Sequence, residues 1–160
     1  MKNDVLEIEN ATIIYRNFEG VAKQNNAIGL RNFCVVLPKD LAAILEKQGW
    51  NIKKRDPRDP EDDPQYFTQI KVAYDNFPPH IVLISNGRQR LLVEADLKIL
   101  DYAEIKQADI MINPYSWKVN GKQGVKGYLK SLYVTLADED FGGKYSNVPY
   151  ADNGYKDDGE

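Results

Sequence analysis

Two Asn-Gly pairs, each flanked by runs of β-branched and aromatic residues, constrain this chain more than any other feature of its sequence. Asn86-Gly87 stands between apolar runs, and Asn120-Gly121-Lys122-Gln123-Gly124 makes a second, slightly longer break. Asn and Gly tolerate the positive φ that a tight hairpin needs, so each break joins two antiparallel strands. Runs rich in Val, Ile, Tyr and Phe, bounded by Gly, Pro, Asn and Asp, predict strands near residues 6–17, 30–37, 50–55, 66–74, 80–86, 89–94, 108–119 and 125–136. Two short helices interrupt them. Asp40 is placed to cap residues 41–47, which Gly49 ends, and Asp96 is placed to cap residues 97–105. The chain is therefore mainly β, a mostly antiparallel sheet suited to a small closed barrel. The OB-fold is the commonest such barrel that binds polymers.

A length of 160 residues fits one domain, long enough to hide roughly 70% of its unfolded surface without a metal or disulfide. The lone cysteine, Cys34, lies in the apolar run Phe33-Cys34-Val35-Val36-Leu37 and reads as a buried, reduced thiol. Met1-Lys2-Asn3-Asp4-Val5 lacks the apolar core of a secretory signal, and no apolar run approaches the ~20 residues of a membrane span, so a cytoplasmic protein is expected.

Charge is unevenly spread. Residues 137–160 hold seven acids against two lysines. A second acidic stretch, Asp56-Pro57-Arg58-Asp59-Pro60-Glu61-Asp62-Asp63-Pro64, has three prolines and self-repelling charge, which predicts a surface loop. Outside these two appendages the body carries 18 basic against 12 acidic residues. The division expected is a binding domain over residues 1–136 and a flexible acidic tail over 137–160, with Tyr145, Tyr150 and Tyr155 as sticky points.

Catalysis finds little support, because one histidine, one buried cysteine and scattered serines do not supply a nucleophile, base and orienter. His80 reads as a half-exposed residue at a strand end. One Cys and one His cannot fill a zinc site, and Asp59, Glu61, Asp62 and Asp63 lack the glycine turn and alternate-position ligands of a calcium loop. Phosphate-cradling glycine loops are absent as well. Neither an enzyme nor a cofactor is expected.

Binding a single nucleic-acid strand needs cations to track phosphates and flat rings on which bases stack. Period-two alternation over 125–135 puts Lys126, Tyr128 and Lys130 on one face, and Val125, Leu129 and Tyr133 on the other. The hairpin partner offers Tyr115 and Trp117 on one face with Lys118 opposite, and the loop adds Lys122. Two further segments echo each other, Arg16-Asn17-Phe18-Glu19-Gly20 and Arg31-Asn32-Phe33. In each, Arg and Phe share a face of an extended chain, and a guanidinium can fork onto a phosphate or stack on a base. Phe33, inside an apolar run, reads as core. Phe18 is open to either core packing or a base contact. Lys53-Lys54-Arg55 is the only dense cationic triplet, and the acidic loop that follows it is placed to mask it until a polyanion displaces the loop.

These residues resemble a known family, the phage-encoded single-stranded DNA-binding proteins with an OB-fold and an acidic C-terminal tail. The resemblance rests on Arg16-Asn17-Phe18-Glu19-Gly20, on Gly29-Leu30-Arg31-Asn32-Phe33, on residues 76–84 (NFPPHIVLI) and, most specifically, on residues 114–135 (PYSWKVNGKQGVKGYLKSLYVT). It implies coating of transient single strands in phage replication or recombination inside the host cell, without enzymatic activity. The DNA contacts expected are Arg16, Phe18, Arg31, Lys53, Lys54, Arg55, Tyr115, Trp117, Lys122, Lys126, Tyr128 and Lys130. The tail, through Asp152, Tyr155, Asp157, Asp158 and Glu160, is expected to compete with DNA and to meet a polymerase, helicase or recombinase. Some relatives end the tail on an aromatic residue, whereas this sequence closes Asp157-Asp158-Gly159-Glu160. Edge strands and the tail both permit a homodimer. Two rivals remain: a phage structural or assembly protein using the aromatic face for protein contacts, and a nuclease using the carboxylates at 59–63.

Overall fold

Phe33, Val35 and Leu37 alternate along one strand and are all buried, which fixes the side on which the core lies. The structure is a computed structural model that describes residues 4–22, 29–75 and 78–137. Its strands are β1 (Leu6–Ile8), β2 (Ile13–Asn17), β3 (Arg31–Leu37), β4 (Lys53–Arg55), β5 (Gln65–Val72), β6 (His80–Ser85), β7 (Arg88–Leu91), β8 (Ile105–Val119) and β9 (Lys122–Leu136). Helix α1 (Lys39–Lys47) follows β3, and a 3-10 turn (Glu94–Asp96) leads into the short α2 (Ile99–Tyr102). The expectations for residues 138–160, and for Asn76-Phe77, lie outside the described residues.

The sheet runs β1-β8-β9-β5-β3-β2, with β4 added to β5 and the β6–β7 hairpin added to β9. Most pairs are antiparallel, but β5–β9 and β6–β9 are parallel, a departure from the expected hairpin succession. The path ends at β1 and β2, so the barrel is partly open rather than closed, as OB-like sheets commonly are. Both ends belong to one bent N-terminal segment. The expected strand over 6–17 breaks at Asn10, whose φ is 51°, and the chain crosses from one edge of the sheet to the other. There the amide of Ala11 donates to the Ala108 carbonyl (2.7 Å) and that of Val36 to the Thr12 carbonyl (2.9 Å).

Other boundaries moved for local reasons. Pro38, not Asp40, occupies the N-cap of α1, and Asp40 sits in the first turn where its charge suits the helix dipole. The second helix shrinks to Ile99–Tyr102 because Ile105 already pairs with Leu136 in the sheet. Both hairpins use two-residue turns: Ser85 pairs with Arg88 and Val119 with Lys122. In each, the Asn and the Gly take positive φ (53° and 77°, 51° and 80°), the geometry that keeps the strand twist continuous. Lys122 therefore starts a strand rather than lying in a loop.

Fully buried Phe18, Phe33, Ile70, Ile81, Leu97, Leu100, Ile112 and Leu132 form the centre of the core. Each such side chain contributes about 1.5–3 kcal/mol on burial. A bulge between Met111 and Ile112 shifts the β8–β9 register at Lys130. Its consequence is a change of phase in β9: Val125 and Leu129 point inward before it, Leu132 and Val134 after it. Tyr133 thus lies outward, 39% exposed, contrary to the expectation that it shares a face with Val125 and Leu129.

Candidate nucleic-acid interface

Beyond the core, β8 and β9 continue as a two-stranded arm to the Asn120-Gly121 turn. Directly opposed residues of an antiparallel pair share a face. The register opposes Asn113 to Tyr128, Tyr115 to Lys126, Trp117 to Gly124 and Val119 to Lys122, so the rings and lysines of this group project from one side. Lys118 pairs with Gln123 on the reverse side. Tyr115 and Tyr128 meet edge to face at 6.1 Å, and Tyr115 remains 58% exposed. The Lys126 ammonium lies 6.0 Å from the centre of the Trp117 ring, within cation–π range. Gly124 permits this arrangement. A Cβ there would stand 2.8 Å from Cζ2 of Trp117, so only a bare backbone lets the indole lie against β9.

The outward face continues across the sheet. Lys71 of β5 is in register with Tyr128 on one side and with Asn32 of β3 on the other. Further along β5, Gln69 pairs with Cys34, and Phe67 pairs with both Val36 and Lys53. Arg55 pairs with Gln65 on the same side. Cys34 is buried beneath this face; burial raises its thiol pKa, and the nearby positive charge of Lys53 partly offsets that. Lys54, one residue out of phase, turns to the other side and lies 3.9 Å from Asp56 in solvent.

Lys54 is thus one of four expected contacts that are not on this face; the other three are Phe18, Arg16 and Arg31. Phe18 is completely buried and stacks on Phe33 (centroids 5.0 Å apart, planes at 17°), so it is core. Arg16 points its guanidinium at the end of α2, where Nη1 donates to the carbonyls of Leu100 (2.9 Å) and Ala103 (2.8 Å). Those carbonyls have no partner within so short a helix, which is why a strand-end arginine is drawn there. Arg31 faces the core side opposite Val72 and pairs with Glu94 at 2.7 Å. The remaining residues of the echoed segment are equally structural: Asn17 Oδ1 accepts from the amides of Gly20 and Val21 (3.1 Å each), and Gly20 takes φ 79°. Of the expected DNA contacts, Tyr115, Trp117, Lys122, Lys126, Tyr128, Lys53 and Arg55 share the outward face, while Lys130 is exposed at the bulge.

Sequence reasoning missed two members. Lys71 shows no signal by itself, because only the long-range β5–β9 pairing brings it beside Tyr128. Tyr15, 54% exposed, packs on Phe67 at the far end of the face. The acidic loop is open to solvent, and Asp59 turns back on itself by accepting from the Glu61 amide (3.0 Å). Among the described residues no group of three or more His, Cys, Asp or Glu is placed to hold a metal. His80 is exposed, with its ring 5.9 Å from Tyr133. No helix among the described residues is long and apolar enough to cross a membrane.

Comparisons with known proteins agree with this fold. Among solved structures, the single-stranded DNA-binding protein from bacteriophage Enc34 in complex with ssDNA is similar over 86% of this chain and 89% of its own, with 14% identity and a TM-score of 0.54. Another structure of the single-stranded DNA-binding protein from bacteriophage Enc34 is similar over 95% of this chain and 90% of its own, at 16% identity and a TM-score of 0.52. At such identities the likeness establishes a shared fold. No curated protein sequence matches. The family profile described as "Putative phage ssDNA-binding domain" matches residues 1–158, nearly the entire sequence. The chain belongs to the phage ssDNA-binding domain family.

Proposed function

We propose that this protein coats single-stranded DNA during phage replication or recombination, holding it along the outward face with little sequence preference and without catalysis. The observation that carries this reading is the shared face of Tyr115, Trp117, Lys126 and Tyr128, extended by Lys71. Rings on a strand accept any base, because every base has a π-face, and lysines beside them take the phosphates. The Enc34 structure named above is a complex with single-stranded DNA, which supports the same ligand class here.

Trp117 reports on the site directly. Titration with single-stranded oligonucleotide is expected to quench its fluorescence, while duplex of the same length does not. Alanine at Trp117 or Tyr128 should weaken binding by about 1–3 kcal/mol per stacked base. Binding that is unchanged in both variants, with the fold intact, overturns the stacking role. A protein that instead self-assembles and ignores the oligonucleotide is the structural protein of the rival reading.

The proposal divides the chain into a binding domain, residues 1–136, and an acidic tail, residues 137–160. Tethered to a cationic face, a tail carrying Asp152, Asp157, Asp158 and Glu160 acts as an intramolecular competitor at high effective concentration. DNA binding would release it, together with Tyr155, to a basic patch on a polymerase, helicase or recombinase. Removing residues 138–160 should tighten single-strand affinity most at low salt. Unchanged affinity there defeats self-competition.

A further inference from the structure

Among the described residues, Tyr15 is the one exposed aromatic on this face that lies far from the β8–β9 arm, and its backbone is unusual. Its φ is 50°, a left-handed value that non-glycine residues rarely adopt inside a strand and that costs on the order of 1–3 kcal/mol. The register of β2 against β3 shifts between Ile14 and Asn17, and that bulge turns Tyr15 out over the sheet. The ring is held from two sides. It packs on Phe67 at 5.5 Å and a 60° tilt, and its hydroxyl accepts from Nη1 of Arg55 at 2.9 Å. The guanidinium carbon lies 5.7 Å from the ring centre, toward the hydroxyl end. Arg55 is itself tied to Gln65 by a donated hydrogen bond. Lys53 stands on the same face, in register with Phe67.

We infer that Tyr15, Arg55 and Lys53 form a second nucleotide station, in which Tyr15 stacks on a base and the two cations take flanking phosphates. The inference rests on the function proposed above and extends it to the opposite end of the face. Covering Phe67 alone would not need this geometry: an aliphatic side chain covers a phenyl ring, without an ordered cation at its rim and with half its surface left in water. From β8 to β2 the sheet advances four strand spacings, about 19 Å at ~4.8 Å each. Lys71, Gln69 and Asn32 line the interval, so one strand of DNA can run from the arm to Tyr15 over polar and cationic side chains. The two stations then act as linked sites, and affinity should rise sharply once an oligonucleotide is long enough to reach both.

Fluorescence anisotropy of a labelled oligothymidine of about 12 nucleotides, within the range one OB-like domain covers, tests this on the full chain. Tyr15→Leu keeps an apolar cover over Phe67 and is expected to weaken binding roughly 5- to 150-fold, the equivalent of one lost stacked base. Tyr15→Phe keeps the ring and should bind within about twofold of the unaltered protein. Because Tyr15→Leu can also fail through folding, a second measurement uses the unaltered chain: photocrosslinking to 5-iododeoxyuridine oligonucleotide, with the adduct expected on Tyr15 as well as on the arm. Tyr15→Leu binding like the unaltered protein, or crosslinks confined to the arm, overturns the second station and leaves the arm's role standing. A protein whose Trp117 is not quenched by any single strand fails at the earlier proposal instead.

Discussion

At the end of β2, Arg16 lies two residues from Phe18; on the β8–β9 arm, Lys126 lies two residues from Tyr128. Both places combine a cation with a ring at same-face spacing, yet the fold uses them in opposite ways. Around Arg16, α2 ends in carbonyls that no backbone amide can reach, and the guanidinium satisfies two of them. Asp101 completes the knot by accepting from the amides of Phe18 (2.6 Å) and Glu19 (3.0 Å). On the arm the groups that face across the hairpin pair in the β8–β9 ladder and Lys126 itself is exposed, so no buried carbonyl draws the lysine inward and its charge stays in solvent. A cation next to an aromatic residue is thus evidence for a ligand only where the surrounding backbone is already satisfied.

The largest effect expected from this contrast is on stability. Phe18→Ala empties a fully buried position stacked on Phe33 and should cost about 3–5 kcal/mol in urea denaturation. Arg16→Met, which leaves the Leu100 and Ala103 carbonyls without their charged donor, should cost about 1.5–3 kcal/mol. Under conditions where either variant is folded, its single-strand affinity should match that of the unaltered protein. If Phe18→Ala keeps its stability but loses DNA binding, the two regions have been assigned the wrong way round.

This contrast also marks how far the sequence was legible. Strand positions followed from β-branched runs, and both Asn-Gly turns were readable because only a few residues tolerate positive φ. That Tyr115, Trp117, Lys126 and Tyr128 share one side of the arm could be read from alternation, since they lie on one unbroken stretch of paired strand. Alternation carried through without a break failed at Tyr133, where the bulge at Lys130 adds a residue and reverses the phase; the only local sign is the polar pair Lys130-Ser131 between Leu129 and Leu132. Arg16 and Arg31 were misread for a different reason. Their partners, Leu100, Ala103 and Glu94, are some 60 to 90 positions away, and only tertiary structure brings them near. Tyr15 was hidden by a strained φ in what read as ordinary strand. The acidic loop's exposure, by contrast, was legible from its prolines and charge alone.

The smallest predicted effect separates the two kinds of cation most cleanly. Lys71 is in register with Tyr128 and forms no ion pair among the described residues, so a phosphate seated there displaces counterions. Arg31 already holds Glu94 at 2.7 Å, with the arginine side chain 22% exposed and the carboxylate 48%. A phosphate would have to break that pair, which in such an exposed setting stabilises the fold by no more than about 1 kcal/mol. The plot of log affinity against log salt should therefore lose about 0.7 of slope in Lys71→Gln, one phosphate contact on a single strand. Arg31→Gln should leave the slope where it is. Equal losses in both variants would mean that Glu94 yields Arg31 to DNA, and that the ion pair is a latch on the opposite side of the sheet rather than a fixed part of the scaffold.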